Sequence, residues 1–251
     1  MQNIGAFIPL IVVFLIFGSI IYFFRKKGKL IKLGLNFNNY KEAKKLNNTF
    51  NISLYILLII WMCVLLADLF YAFTFSEENL YNHFFIDTII GILAIIYTIS
   101  FFVVHFMGAI WIYRVNYNAR CLGAKDIRHS PGWSIAWYFI PIAFFWKPYQ
   151  AMKEIYLKTY NLNTSVSKTN NVPGFFPLWW TFWLLGSFAA QIQFRLGMNF
   201  FNSNSLDLYL AYNFVAICAD TLLILNWIFF YKVFKSISSM QEYLYNETKT
   251  S

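Results

Sequence analysis

The sequence predicts an all-α, polytopic membrane helical bundle: five transmembrane helices plus one proline-broken re-entrant or interfacial segment, with six full spans as the alternative. Three observations predict it. The 251 residues are 59% hydrophobic and 12% charged, whereas a soluble domain carries about a quarter charged residues. Apolar runs close to 20 residues recur, the length needed to cross roughly 30 Å of hydrocarbon at about 1.5 Å per residue. Lysine and arginine collect between those runs, so the net charge of +9 follows membrane topology and points away from nucleic acid as a partner.

Residues 5–24 form the first run, which ends at Arg25-Lys26-Lys27. No basic segment precedes it and no small-residue cleavage site follows, so it reads as an uncleaved anchor. This anchor and the basic linker after it make residues 1–51 a segment of their own, followed by a membrane helical domain over 52–245 and a tail at 246–251. The second run, 52–73, is interrupted only by Asp68. The third, 86–113, would be about 42 Å long as a helix and must tilt or project from the bilayer. Residues 177–194 open with Leu178-Trp179-Trp180, and 208–231 are interrupted by Asp220. Tyr22, Trp111, Tyr113, Trp179, Trp180, Tyr209 and Tyr231 crowd the ends of these runs, as interfacial anchors do.

Residues 130–149 are different. Their uninterrupted apolar part, 133–146, is short for a span, and Pro141 removes a helical donor from its middle. Ser130 and Pro131 form an N-cap and first helical position. After Lys147-Pro148, the stripe Tyr149, Met152, Tyr156, Tyr160, with Lys153, Glu154 and Lys158 off it, predicts an amphipathic helix lying on the membrane surface.

Basic residues prefer the cytoplasm. With five spans, the amino terminus outside and the Pro141 segment returning to its own side, every lysine and arginine except Arg195 faces the cytoplasm. A full crossing of that segment leaves seven outside at best. The expected location is therefore the inner (cytoplasmic) membrane, multi-pass, with the carboxyl terminus cytoplasmic. Cys63, Cys121 and Cys218 form no C-x-x-C pair and are expected to be free thiols. Neither a metal nor a cofactor is expected.

Several motifs occur in a fixed order. Trp111-x-x-Arg114-x-x-x-Asn118-x-Arg120-x-Leu122-Gly123 is followed by Ser130-Pro131-Gly132-Trp133, by Phe139-Ile140-Pro141-Ile142-Ala143 and by Trp146-Lys147-Pro148-Tyr149-Gln150. Trp179-Trp180-x-x-Trp183-Leu184-Leu185 and Gln241 come later. The combination resembles the bacterial "domain of unknown function 4328" membrane proteins over residues 52–244, with Pro131, Gly132, Trp133, Pro141 and Pro148 as motif positions. The resemblance implies a polytopic membrane protein and supplies no reaction or ligand. Where the family tends to place a polar residue after the Pro-Ile-Ala run, this chain has Phe144 and Phe145.

Ionisable groups in lipid need a reason. Asp220 lies near mid-membrane, Asp68 and Arg195 share an outer depth that suggests an ion pair, and His105 sits in the cytoplasmic half of the third span. Arg114, Arg120, Lys125, Arg128 and Lys147 surround the helix start at Pro131, a candidate site for an anion, above all an anionic lipid headgroup. No H-E-x-x-H or G-x-S-x-G motif occurs, and paired carboxylates at workable spacing are lacking, so an enzyme acting on lipids ranks last. A structural, sensory or partner-binding component, its protein partner unspecified, ranks first; a small transporter or channel using Asp220 ranks second.

Overall fold

The computed structural model describes residues 36–74, 84–163, 167–203 and 206–250. The first run with Tyr22 and its basic border at Arg25 lie outside the described residues. Every regular element among the described residues is helical: α1 (Lys44–Thr74), α2 (Phe84–Cys121), α3 (Pro131–Ala136), α4 (Lys147–Tyr160), α5 (Phe175–Ser203) and α6 (Leu206–Thr250), with short 3-10 turns between. Three of these, α1, α2 and α6, are long and apolar enough to cross a membrane. The second half of α5 is less apolar because it carries Gln191, Gln193 and Arg195.

The described residues divide into two compact units, one drawn from residues 46–74, 84–108, 173–203 and 206–235, the other from 36–45, 109–163, 167–172 and 236–250. In the first, Phe50, Leu54, Leu57 and Trp61 are buried at helical spacing along one stripe of α1, while Ile52, Ile56, Ile59 and Leu66 stay exposed on the other faces. A helix apolar all round belongs in lipid. Aromatic contacts set the helix directions. The Phe50 ring meets Phe234 at 5.2 Å and Trp61 meets Trp227 at 6.0 Å, so α1 and α6 run antiparallel. Trp61 against Tyr97 and Phe50 beside Gly108 do the same for α1 and α2. The pairs Trp179–Phe230, Gly186–Leu223 and Gly197–Tyr212 do so for α5 and α6. The result is two antiparallel helix pairs, α1–α2 and α5–α6, with the ends at Thr74, Phe84, Ser203 and Leu206 on the same side of a four-helix unit.

The second unit is polar. Trp111, Val115 and Ala119 of α2 and Ala151, Met152 and Ile155 of α4 form its apolar centre, but Asn116, Asn118, Ser134, Glu154, Thr159 and Gln241 are buried with them. Ser130 caps α3 as its sequence suggests, accepting the Trp133 N–H at 3.3 Å. After the 3-10 turn Trp137–Phe139 the chain reverses at Pro141. The Ala143 N–H donates to the Pro141 carbonyl at 2.8 Å and Ile142 sits at φ 68°, ψ −55°. These are the marks of a γ-turn, a strained geometry for a β-branched side chain. Ile142 is 70% exposed, and Phe139 and Trp146 beside the turn are exposed too.

Two sequence expectations are corrected here. The helix α4 does not lie free on a surface: Pro148, Ala151, Met152, Glu154, Ile155, Tyr156 and Thr159 are all buried, because the returning hairpin and its neighbours cover it. Trp111, Trp179 and Trp180 are buried by protein where interfacial exposure was expected.

Candidate functional site

Extending the buried stripe of α1 from Trp61 by one heptad lands on Asp68, which therefore faces inward. Its carboxyl meets that of Asp220 on α6 within hydrogen-bonding reach. Asp220 is only 8% exposed, and the Trp61 Nε1–H donates to its Oδ1 at 3.3 Å. Tyr97 of α2 and Tyr212 of α6 lie close enough to feel the pair, and Tyr212 hydrogen-bonds Gln193 of α5. All four helices of the unit thus contribute to one polar centre. A carboxylate only accepts hydrogen bonds, so a hydrogen bond between two carboxyls requires a proton on one of them.

The expected Asp68–Arg195 pair is absent. Arg195 is exposed and forms no ion pair among the described residues, whereas Arg128 pairs with Glu154. Counting residues matched the depths of Asp68 and Arg195 but not the faces they occupy. His105 does not join the centre either. Its Nδ1–H donates to the Phe101 carbonyl at 2.8 Å, one turn back, and its ring packs edge-on against Trp227.

The polar unit engages the cations that the sequence offered for an anion. Arg120 donates through Nε to Asn116 Oδ1 at 3.1 Å and through Nη2 to the carbonyls of Ile127 and His129 at 2.9 and 3.0 Å. It pins the loop between α2 and α3. Arg114 reaches the Glu42 carbonyl at 3.4 Å. The Arg128 side chain, 81% exposed, pairs with buried Glu154 at 3.2 Å, whose oxygens also accept the Arg128 and His129 backbone N–H groups. Lys147 sits over the Trp137 ring at 5.6 Å. These groups do not converge on the start of α3, which has six residues and is capped by Ser130. Lys125 and the Arg128 guanidinium are the outward cations of this group.

The same unit holds residues for which the sequence offers no bonding partner or suggests a solvated place. Asn118 exchanges two hydrogen bonds with the Lys41 backbone, 77 residues away. Asn116 donates to Ser134 Oγ and the His129 carbonyl. Gln241 donates to the Val115 carbonyl at 2.8 Å and to Thr159 at 3.4 Å. Glu154 was expected on a solvated face and is buried as an acceptor. His129 Nδ1 accepts from Trp137 Nε1 at 3.1 Å, which requires a neutral ring; burial is the main cause holding its pKa below 6.5, against the opposing pull of Glu154. The motif residues Pro131 and Gly132 are buried in this scaffold and Pro148 opens α4, whereas Trp133 and Pro141 reach the surface.

Cys63, Cys121 and Cys218 are free thiols. Among the described residues no three His, Cys, Asp or Glu side chains are grouped to hold a metal ion. No curated protein and no solved structure matches the chain. A family model does match, over residues 80–239, a narrower stretch than the 52–244 expected, and it spans the arginine-asparagine loop, the proline hairpin and Asp220. The chain belongs to the family described as Domain of unknown function (DUF4328).

Proposed function

We propose that the protein is a multi-pass membrane component that serves a structural, sensory or partner-binding role, with its polar unit as a rigid cytoplasmic platform. The observation that carries this reading is the bond of Arg120 to Asn116 and the engagement of Asn118, Glu154 and Gln241 with backbone groups, which ties the polar unit together from inside. The topology proposed with it has five spans, the amino terminus outside, the carboxyl terminus in the cytoplasm and the inner membrane as its location. Supporting it, residues 36–45, 114–163, 167–172 and 236–250, all assigned to the cytoplasm by charge, belong to one compact unit.

The γ-turn hairpin is proposed as a re-entrant wedge in the lipid interface. From Pro131 to Phe139 its first arm is about 15 Å long, half a bilayer. Trp133, Phe139, Ile142 and Trp146 supply the apolar and aromatic tip, with Lys125, Arg128 and Lys147 placed to meet anionic headgroups. The test of the platform is photo-crosslinking in intact cells from Lys125 and Tyr243, with lipid-facing Ile99 as control. A discrete protein adduct from the platform alone, lost in Arg120→Met, is the expected result; lipid adducts only would reject a protein partner. For the wedge, Ile142→Cys should react with thiol reagent from the cytoplasmic side. Reaction from outside would mean a sixth span.

A second reading, a small proton-coupled transporter, is favoured by one observation, the contact of Asp68 with Asp220.

A further inference from the structure

We propose that the four-helix unit contains a proton-binding site, formed by Asp68, Asp220 and Asn213 and reached along a polar seam on one face of α6. This deepens the second reading by naming the ion, the residues and the route.

Asn213 supplies the observation independent of the acid pair. It is only 4% exposed, and its Nδ2 donates to Tyr209 Oη at 3.3 Å. Its Oδ1 is buried with no donor among the described residues. A buried acceptor left this way is costly, and a water held between polar groups is the smallest species that satisfies it. Tyr209, Asn213, Ala216 and Asp220 follow at spacings of four, three and four, so they share one helix face. Ala216, fully buried, is the small residue that separates Asn213 from Asp220 on this face. The seam starts three residues inside α6 and ends at the acid pair, about 16 Å along the axis.

The surroundings select a proton over other ions. Among the described residues no cation pairs with these acids: Arg195, the charged residue of α5, is exposed and makes no ion pair there. From α1 the groups facing Asp220 are Asp68 and Trp61, from α2 Tyr97, and from α6 Tyr212, which is tied to Gln193 of α5. His105 of α2 is held by Phe101 and Trp227. Two carboxyls and neutral oxygens fall short of the six to eight ligands of calcium. The step is a simple protonation: with one proton shared, the pair carries a single negative charge. A second proton arriving along the seam converts the remaining carboxylate to a carboxylic acid, and its departure restores the charge.

The test uses the full chain in lipid bilayers, with infrared spectroscopy reading the C=O stretch of protonated carboxyl groups at neutral pH. The wild type should show such a band, shifting on exchange into D2O. The band should move in Asp68→Asn and in Asp220→Asn, vanish in the double variant and remain unchanged in Asp207→Asn, at the exposed start of α6. Asn213→Leu should slow its exchange at least tenfold. A band unmoved by either single substitution, persistence in the double variant, removal by sodium ions at constant pH, or unchanged exchange in Asn213→Leu would each overturn the proposal. Proton flux into liposomes separates the two readings. A band that behaves as expected without flux keeps the site and discards transport; flux without the band discards the site.

Discussion

Replacing Arg120 by methionine should loosen the polar unit by about 3 kcal/mol, a figure that follows from which acceptors lose their donors. The guanidinium serves three: Asn116 Oδ1, the Ile127 carbonyl and the His129 carbonyl. His129 keeps a second donor, Asn116 Nδ2 at 2.9 Å, so two acceptors rather than three are left without one. Each loss from a charged donor is worth about 1.5 kcal/mol at the lower end, appropriate for a half-buried group. Arg120→Lys retains the charge without the fork and should fall between, at about 1–2 kcal/mol. The reporter is already in place, since Cys121 is the adjacent residue and only 2% exposed. In a Cys63→Ser, Cys218→Ser background, thiol labelling during heating follows exposure of this one sulfur. The methionine variant should label at a midpoint about 6–12 °C lower. A methionine variant within 2 °C of wild type, or a lysine variant equal to wild type, would show that the fork does not hold the loop.

Three further outcomes are expected. His129 must be neutral to accept from Trp137, and its folded pKa lies below 6.5; its contribution is complete above that value and declines as pH falls through it toward the folded pKa. Melting temperature should therefore drop on acidification below about 6.5, and His129→Gln should flatten that slope. A side chain at Gly186 would place its Cβ 2.7 Å from Leu223, so Gly186→Ala should destabilise by about 1–3 kcal/mol, with partial rescue in a double variant with Leu223→Ala. Ile142→Gly should raise stability by about 1 kcal/mol by removing the positive-φ strain while weakening quenching of the hairpin tryptophans by brominated lipids.

The long apolar helices were legible because composition alone selects lipid over water. The helix ends were not. Hydropathy stops near Tyr113 and Tyr231, yet α2 continues to Cys121 and α6 to Thr250. Asn116, Asn118 and Gln241 find partners far along the chain, contacts that no local window contains. The partner of Asp68 was misjudged for a related reason. Depth is a matter of counting, and opposite charges at equal depth invite pairing, but the rotational position around α1 decides which helix an acid meets. That information was present in the spacing of Leu57, Trp61 and Asp68. Pro141 announced the break in the hairpin correctly, while Glu154 looked solvated because its burial depends on the loop that Arg120 draws over it.

The acids of the four-helix unit belong to different helix pairs, Asp68 to α1–α2 and Asp220 to α5–α6, with more than 150 residues between them. A ribosome releases the earlier pair well before the later one exists. During that interval Asp68 faces acyl chains or the insertion machinery alone, a condition unfavourable by a few kcal/mol. Chains truncated before α5 should consequently linger at the translocon and be degraded sooner than the full chain, an outcome that would make the meeting of the two carboxyls a mark of completed biogenesis.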